Sequence, residues 1–246
     1  MKFYKSLPTL FVVLLLALPT FALDIPDNLS KKDRQQVTKI LGHTTSTKLL
    51  SIPYPLGGYS GFEVSLSTTN VPVSELSFLG NTTNGQSEFS YQTLSIAKGL
   101  YGNFDVHLHF APPIGNVNYS SYGGALKWSF FQGSYLPYTL SFLIHGNSST
   151  TQDSFSSSTL GGEFIYSLYV QNLVFYFGAG PIKTRSTFLG QGPTSFLTDS
   201  GSNESELERT LHSYIGMTYL YDIYFFTLQA DRYTNNTISF NLGLRL

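Results

Sequence analysis

Asp105, His107 and His109 stand two apart in the segment FDVHLHF, so on an extended chain they share one face. Acids and imidazoles are the groups of general acid–base chemistry, and imidazoles two apart on a strand can chelate a metal. These three are therefore the candidate catalytic residues. A catalytic base also needs a positioned partner, and a metal centre needs further placed ligands. The sequence places neither, so no metal and no cofactor is assigned. The chain contains no cysteine, which excludes thiolate zinc sites, cysteine nucleophiles and disulfide scaffolds.

The element that would carry this face is a strand. Phe104, Val106, Leu108 and Phe110 occupy the other parity, and such period-two alternation is the mark of a chain with one apolar and one polar side. The same pattern recurs from residue 61 to the end. Phe62, Val64 and Leu66 alternate with Glu63, Ser65 and Ser67, and Leu126 and Trp128 with Lys127 and Ser129. Phe142 and Ile144 alternate with Leu143 and His145, and Phe164 and Tyr166 with Glu163 and Ile165. Phe175 and Phe177, Ile215 and Met217, and Phe226 and Leu228 continue it. The last strand runs from Ile238 through Phe240, Leu242 and Leu244 to Leu246. About ten strands of roughly 9–11 residues are expected, with 8–12 the range. In 87–98, Phe89 and Tyr91 fall on one parity and Leu94 and Ile96 on the other, which calls for a bulge or for a shorter strand.

The start of the chain is different. Lys2 and Lys5 precede an apolar run at 10–18, and Thr20 and Ala22 are small residues at a cleavage position. This reads as a secretory signal peptide over 1–22; the run is far short of the ~20 apolar residues a spanning helix needs. Residues 23–60 concentrate charge, with Ser30 and Asp33 as a capping pair and Val37, Ile40 and Leu41 at helical spacing. They predict an N-terminal periplasmic extension with a short helix at about 31–41. An extension outside the main body is favoured over a plug, because nothing in the pattern aims the helix anywhere.

Composition agrees with an unusual surface. Charged residues make up 12% of the chain, against about 25% for ordinary domains, and aromatics 15%. Without 1–22 the chain has 12 basic and 15 acidic residues, which leaves no basic footprint for nucleic acid.

Connections alternate in length: tight turns at 98–103, 132–136, 170–172 and 221–222, and longer segments at 72–87, 112–120, 146–157 and 183–208. One short edge and one long edge is the asymmetry of membrane barrels. With the leader, the absence of cysteine and the terminal strand ISFNLGLRL, residues 61–246 resemble Gram-negative outer-membrane β-barrel proteins. In that group the last residue is usually aromatic; here it is Leu246. The resemblance implies an all-β, antiparallel, transmembrane up-and-down barrel in the outer membrane. It also implies lipid and lipopolysaccharide as surroundings, and an assembly machinery that reads Ile238 to Leu246.

If the apolar parity faces lipid, the lumen is lined by Glu63, Asp105, His107, His109, Lys127, His145, Glu163, Thr227, Gln229, Asp231, Asn241 and Arg245. A narrow lumen of mixed sign is expected to hold a structural network of ion pairs. Asp199, Glu204, Glu206 and Glu208 read as part of a solvated outer loop. Tyrosines near strand ends, among them Tyr119, Tyr122, Tyr135, Tyr138, Tyr219, Tyr221 and Tyr224, read as interfacial girdles. The favoured role is a structural or surface barrel, or a narrow passive pore. The alternatives are a barrel enzyme, a protease or lipid-acting, built on Asp105, His107 and His109, and a secreted soluble β-sandwich that binds carbohydrate.

Overall fold

The computed structural model describes residues 23, 25–81, 87–113, 119–133, 137–151, 154–190 and 197–246. The expected leader and Tyr135 lie outside them. Ten strands follow one another: β1 (Phe62–Pro72), β2 (Glu88–Gly99), β3 (Phe104–Ala111), β4 (Tyr119–Gln132) and β5 (Tyr138–Thr151). After these come β6 (Phe155–Val170), β7 (Leu173–Phe188), β8 (Glu204–Tyr221), β9 (Tyr224–Arg232) and β10 (Asn236–Arg245). Each pairs antiparallel with its neighbours in sequence, and β1 pairs with β10 through Glu63↔Arg245 to Asn70↔Ile238, closing an up-and-down barrel. A closed ladder leaves no sheet edge, and it rules out the sandwich.

The parity expected of the strands sets the two faces. Leu108, Tyr122, Ile144, Phe164, Phe177, Ile215, Leu228 and Phe240 are exposed on the outside. On the opposite parity of the same wall, Lys127, His145, Glu163, Thr218 and Asp231 are almost wholly buried. Two turns of two residues each, Gln171-Asn172 and Asp222-Ile223, lie at one end, with φ of 56° at Gln171 and at Asp222.

Several boundaries differ from expectation. β7 continues to Phe188 and β8 begins at Glu204, so the connection between them is 189–203. β5 and β6 likewise absorb most of 146–157. Ser- and Thr-rich stretches resemble loops by composition, but here their backbone continues the ladder past the apolar ring. β2 contains no bulge: its register with β1 is unbroken. Its phase change arises because Phe89 and Tyr91 point inward. The register shift is in β4, between Ser129 and Phe131. Tyr119 is also an inward, buried ring and not part of a girdle.

What Phe89, Tyr91 and Tyr119 meet inside is the N-terminal segment. Helix α1 (Lys31–Val37) is opened by a complete capping box of Ser30 and Asp33, and a π turn over Thr38–Gly42 extends it. Val37, Ile40 and Leu41 form one face and pack with Phe89, Tyr91, Tyr119, Phe155 and Phe188. The segment therefore lies within the lumen, not outside the barrel as the sequence favours. It enters at the long-connection end, where Leu29 bridges Thr198, and leaves at the short-turn end, where Phe62 opens β1.

Candidate functional site: a plug bonded to the lumen wall

Residues 43–56 cross the lumen largely without helix or strand. A buried chain in that state has no ladder for its amides and carbonyls, and each one left unpaired is costly. The inward polar side chains of the wall take that role. Asn147 donates to the Thr45 carbonyl at 2.7 Å, and Asn241 donates to that of Leu50. The Lys127 ammonium lies 3.2 Å from the Ile52 carbonyl and 3.1 Å from that of Tyr54. Arg245 donates to the Pro55 carbonyl and sits over the Tyr54 ring, 4.6 Å from its centroid. The Leu56 amide donates to Asp105 at 3.1 Å, while Lys127 pairs with Asp105 at 3.1 Å.

Higher in the lumen a second network runs across the wall. His145 meets Glu163 at 3.0 Å, and His212 meets the same carboxylate oxygen at 2.6 Å. The other ring nitrogen of His212 lies 3.1 Å from Asp231. Asp231 accepts from Gln229 at 2.6 Å and faces Lys48 of the plug at 3.5 Å. Lys48 also donates to Thr237 at 2.6 Å. The Tyr233 ring lies flat on His212, 4.0 Å between centroids, and its hydroxyl accepts from Ser46 of the plug at 3.0 Å.

At the long-connection mouth, Arg34 of α1 reaches Asp199 at 2.9 Å, Glu206 at 3.1 Å and Glu204 at 3.9 Å. Lys39 lies 3.7 Å from Glu208. These acids clamp the plug helix. They are not a free solvated loop, because Glu204, Glu206 and Glu208 sit on β8.

The candidate catalytic residues are not assembled into a site. Asp105 is occupied by Lys127 and the plug backbone; His109 lies 3.3 Å from both Thr47 and Asn147. His107 lines a cavity of about 20 Å³ together with Glu63, and Nε2 of His107 and Oε2 of Glu63 have no hydrogen-bond partner among the described residues. That volume accommodates about one water molecule. A second cavity of about 20 Å³ shares Thr47, Lys48, Leu50, Ser95 and His109 with the first. A wider recess of about 590 Å³ lies at the short-turn mouth, against Tyr54, Pro55 and Tyr169. No group of three or more His, Asp or Glu among the described residues is placed to hold a metal ion. Thr227 bonds Thr218 at 2.9 Å, a link between two wall strands.

His212, Lys48, Tyr176 and Tyr233 escape the sequence reading. His212 falls one step beyond the alternation read in β8; extending Ile215 back to Ser213 and Leu211 would have turned it inward. Tyr176 donates to Gln229 at 2.7 Å, so an inward aromatic ring here is also a polar partner.

The fold and this lumen define a closed, plugged ten-stranded β-barrel. In fold the chain resembles Gram-negative outer-membrane barrels. The N-terminal β-barrel domain of Pseudomonas aeruginosa OprF is 10% identical, with 77% of this chain and 99% of that chain covered and a TM-score of 0.39. Neisserial surface protein A is 10% identical, covering 77% and 98%, with a TM-score of 0.33. The outer-membrane phospholipase of Salmonella typhi is 10% identical, covering 85% and 97%, at 0.32. No family model and no curated protein matches the chain.

Proposed function

We propose that the protein is an integral outer-membrane barrel with a structural or surface role, held shut by its own residues 23–60. The observation that carries this is the series of wall-to-plug bonds, from Arg34–Glu206 at one mouth to Leu56–Asp105 at the other. A passive pore needs a continuous aqueous path. Here the spaces beside the plug hold about one water each, and Phe89, Tyr91, Val37 and Ile40 close the long-connection end. The exposed apolar ring supports a lipid environment, since a soluble protein rarely shows such a surface. In this reading the short turns face the periplasm, the long connections face outward, and Ile238 to Leu246 is the strand offered to the assembly machinery.

Planar-bilayer recording tests it. The intact chain should show no stable open level, and a chain lacking 23–58 should conduct if it inserts. A steady ohmic conductance from the intact chain would overturn the sealed-barrel reading.

A further inference from the structure

The β7–β8 hairpin separates its charges by face. Its acids Glu204, Glu206 and Glu208 pair with Arg34 and Lys39 of the plug. Its bases Lys183, Arg185 and Arg209 are exposed and alternate with the buried inward residues Thr184, Ser186 and Glu206 or lie on the same outward parity as Leu207 and Leu211. Lys183 stands directly opposite Arg209 in the ladder, and Arg185 is opposite Leu207, one diagonal step from Arg209. Like charges facing one another across a sheet destabilise it. None of the three belongs to an ion pair among the described residues. Directly opposite side chains start about 5 Å apart and diagonal ones about 7–8 Å apart, so the three long cations share one patch of the outer face, within reach of a single phosphate.

The surroundings restrict the ligand further. Leu160 lies opposite Lys183 on β6, Leu211 lies opposite Pro181, and both leucines are exposed. Below them the outer wall continues as Phe164, Phe177 and Ile215. Cations directly above an apolar wall match a ligand with phosphate at its head and acyl chains beneath it. We propose that Lys183, Arg185 and Arg209 form an external binding site for the phosphate of a phosphorylated glycolipid in the outer leaflet. This rests on the outer-membrane reading above, with the long connections facing outward.

The test uses the full chain in phosphatidylcholine nanodiscs doped with phosphorylated lipid A or with lipid A whose phosphates have been removed. Insertion is scored first by heat-modifiable gel mobility, and retained lipid by native mass spectrometry. The phosphorylated form should be retained and the dephosphorylated form lost. K183Q/R185Q/R209Q should lower retention about tenfold, and K98Q, at the opposite rim, should not change it. R209Q alone should lower it about threefold and serves if the triple variant does not insert. Equal retention of both lipids, unchanged retention in the variants, or full displacement by inorganic phosphate at the lipid's own concentration would overturn the site. Failure of the unaltered chain to enter any bilayer would instead overturn the membrane reading, and the site with it.

Discussion

Lys48 of the plug faces Asp231 of β9 at 3.5 Å, with both side chains almost wholly buried. One charge comes from a segment without regular structure and the other from the wall. Without Asp231, Lys48 would be left with the neutral hydroxyls of Thr237 and Ser239, and without Lys48 the Asp231 carboxylate would lose its plug cation. The pair fixes the depth at which the plug rests, because Asp231 is itself held by His212 and Gln229.

Removing both members should therefore cost less than the two single removals added together. Lys48→Met or Asp231→Asn alone should destabilise by about 3–5 kcal/mol, and the double variant by clearly less than the sum. Urea unfolding in detergent micelles, run as a double-mutant cycle, measures this. Additive losses would show that the two charges do not share one site.

Arg34→Ala should loosen the long-connection mouth. It removes a cation that is 5% exposed and leaves Glu206, 7% exposed, without its partner. A loss of about 3 kcal/mol is expected, local to α1, because Asp199 and Glu204 are solvated enough to stand alone. Hydrogen exchange should speed up at residues 31–42 while the β4–β6 ladder stays protected. Unchanged exchange at 31–42 would contradict the clamp.

Tyr176 and Tyr214 fill the lumen by lying over glycines of the neighbouring strand. A Cβ on Gly216 would fall 2.1 Å from the Tyr176 ring, and one on Gly178 would fall 2.2 Å from that of Tyr214. Gly216→Ala should destabilise by about 1–3 kcal/mol, since the ring has no free space to enter. Tyr176→Leu in the same chain should recover part of that loss. Thermal melts of the two variants decide it, and a neutral Gly216→Ala would mean that the ring is not packed as described.

The outer face carries its own test. Ile215 is 65% exposed and projects among Phe177 and Ala230. Ile215→Arg should cost about 2–4 kcal/mol in a lipid bilayer. On a water-facing surface the same change would be close to neutral. Unfolding in bilayers distinguishes the two.

How much of this was legible follows from what each feature writes into local sequence. Strands such as Phe104–Ala111 announce themselves, because a wall with unlike faces imposes period two. Closure into ten strands followed from their number and turns. Phe89 and Tyr91 misled, because an aromatic residue is apolar whether it meets lipid or the plug; only its partners decide. The plug itself left almost no trace. Its residues 43–56 have no period, and their partners Asp105, Lys127, Asn147, Asp231, Asn241 and Arg245 are scattered over five strands. The polar lumen residues could be named from parity, but not their task of pairing with a backbone that arrives from elsewhere.

Residues 25–60 thread the lumen from one mouth to the other. The natural chain has no cysteine, so single cysteines report cleanly. Lys31 is exposed at the long-connection mouth, and Tyr59, 69% exposed, lies at the short-turn mouth. Labelling of Lys31→Cys and Tyr59→Cys on intact cells with a membrane-impermeant maleimide is the direct measurement. The threaded plug predicts that Lys31→Cys labels from outside, and that Tyr59→Cys labels only after the outer membrane is permeabilised. Labelling of both positions from the same side would contradict it.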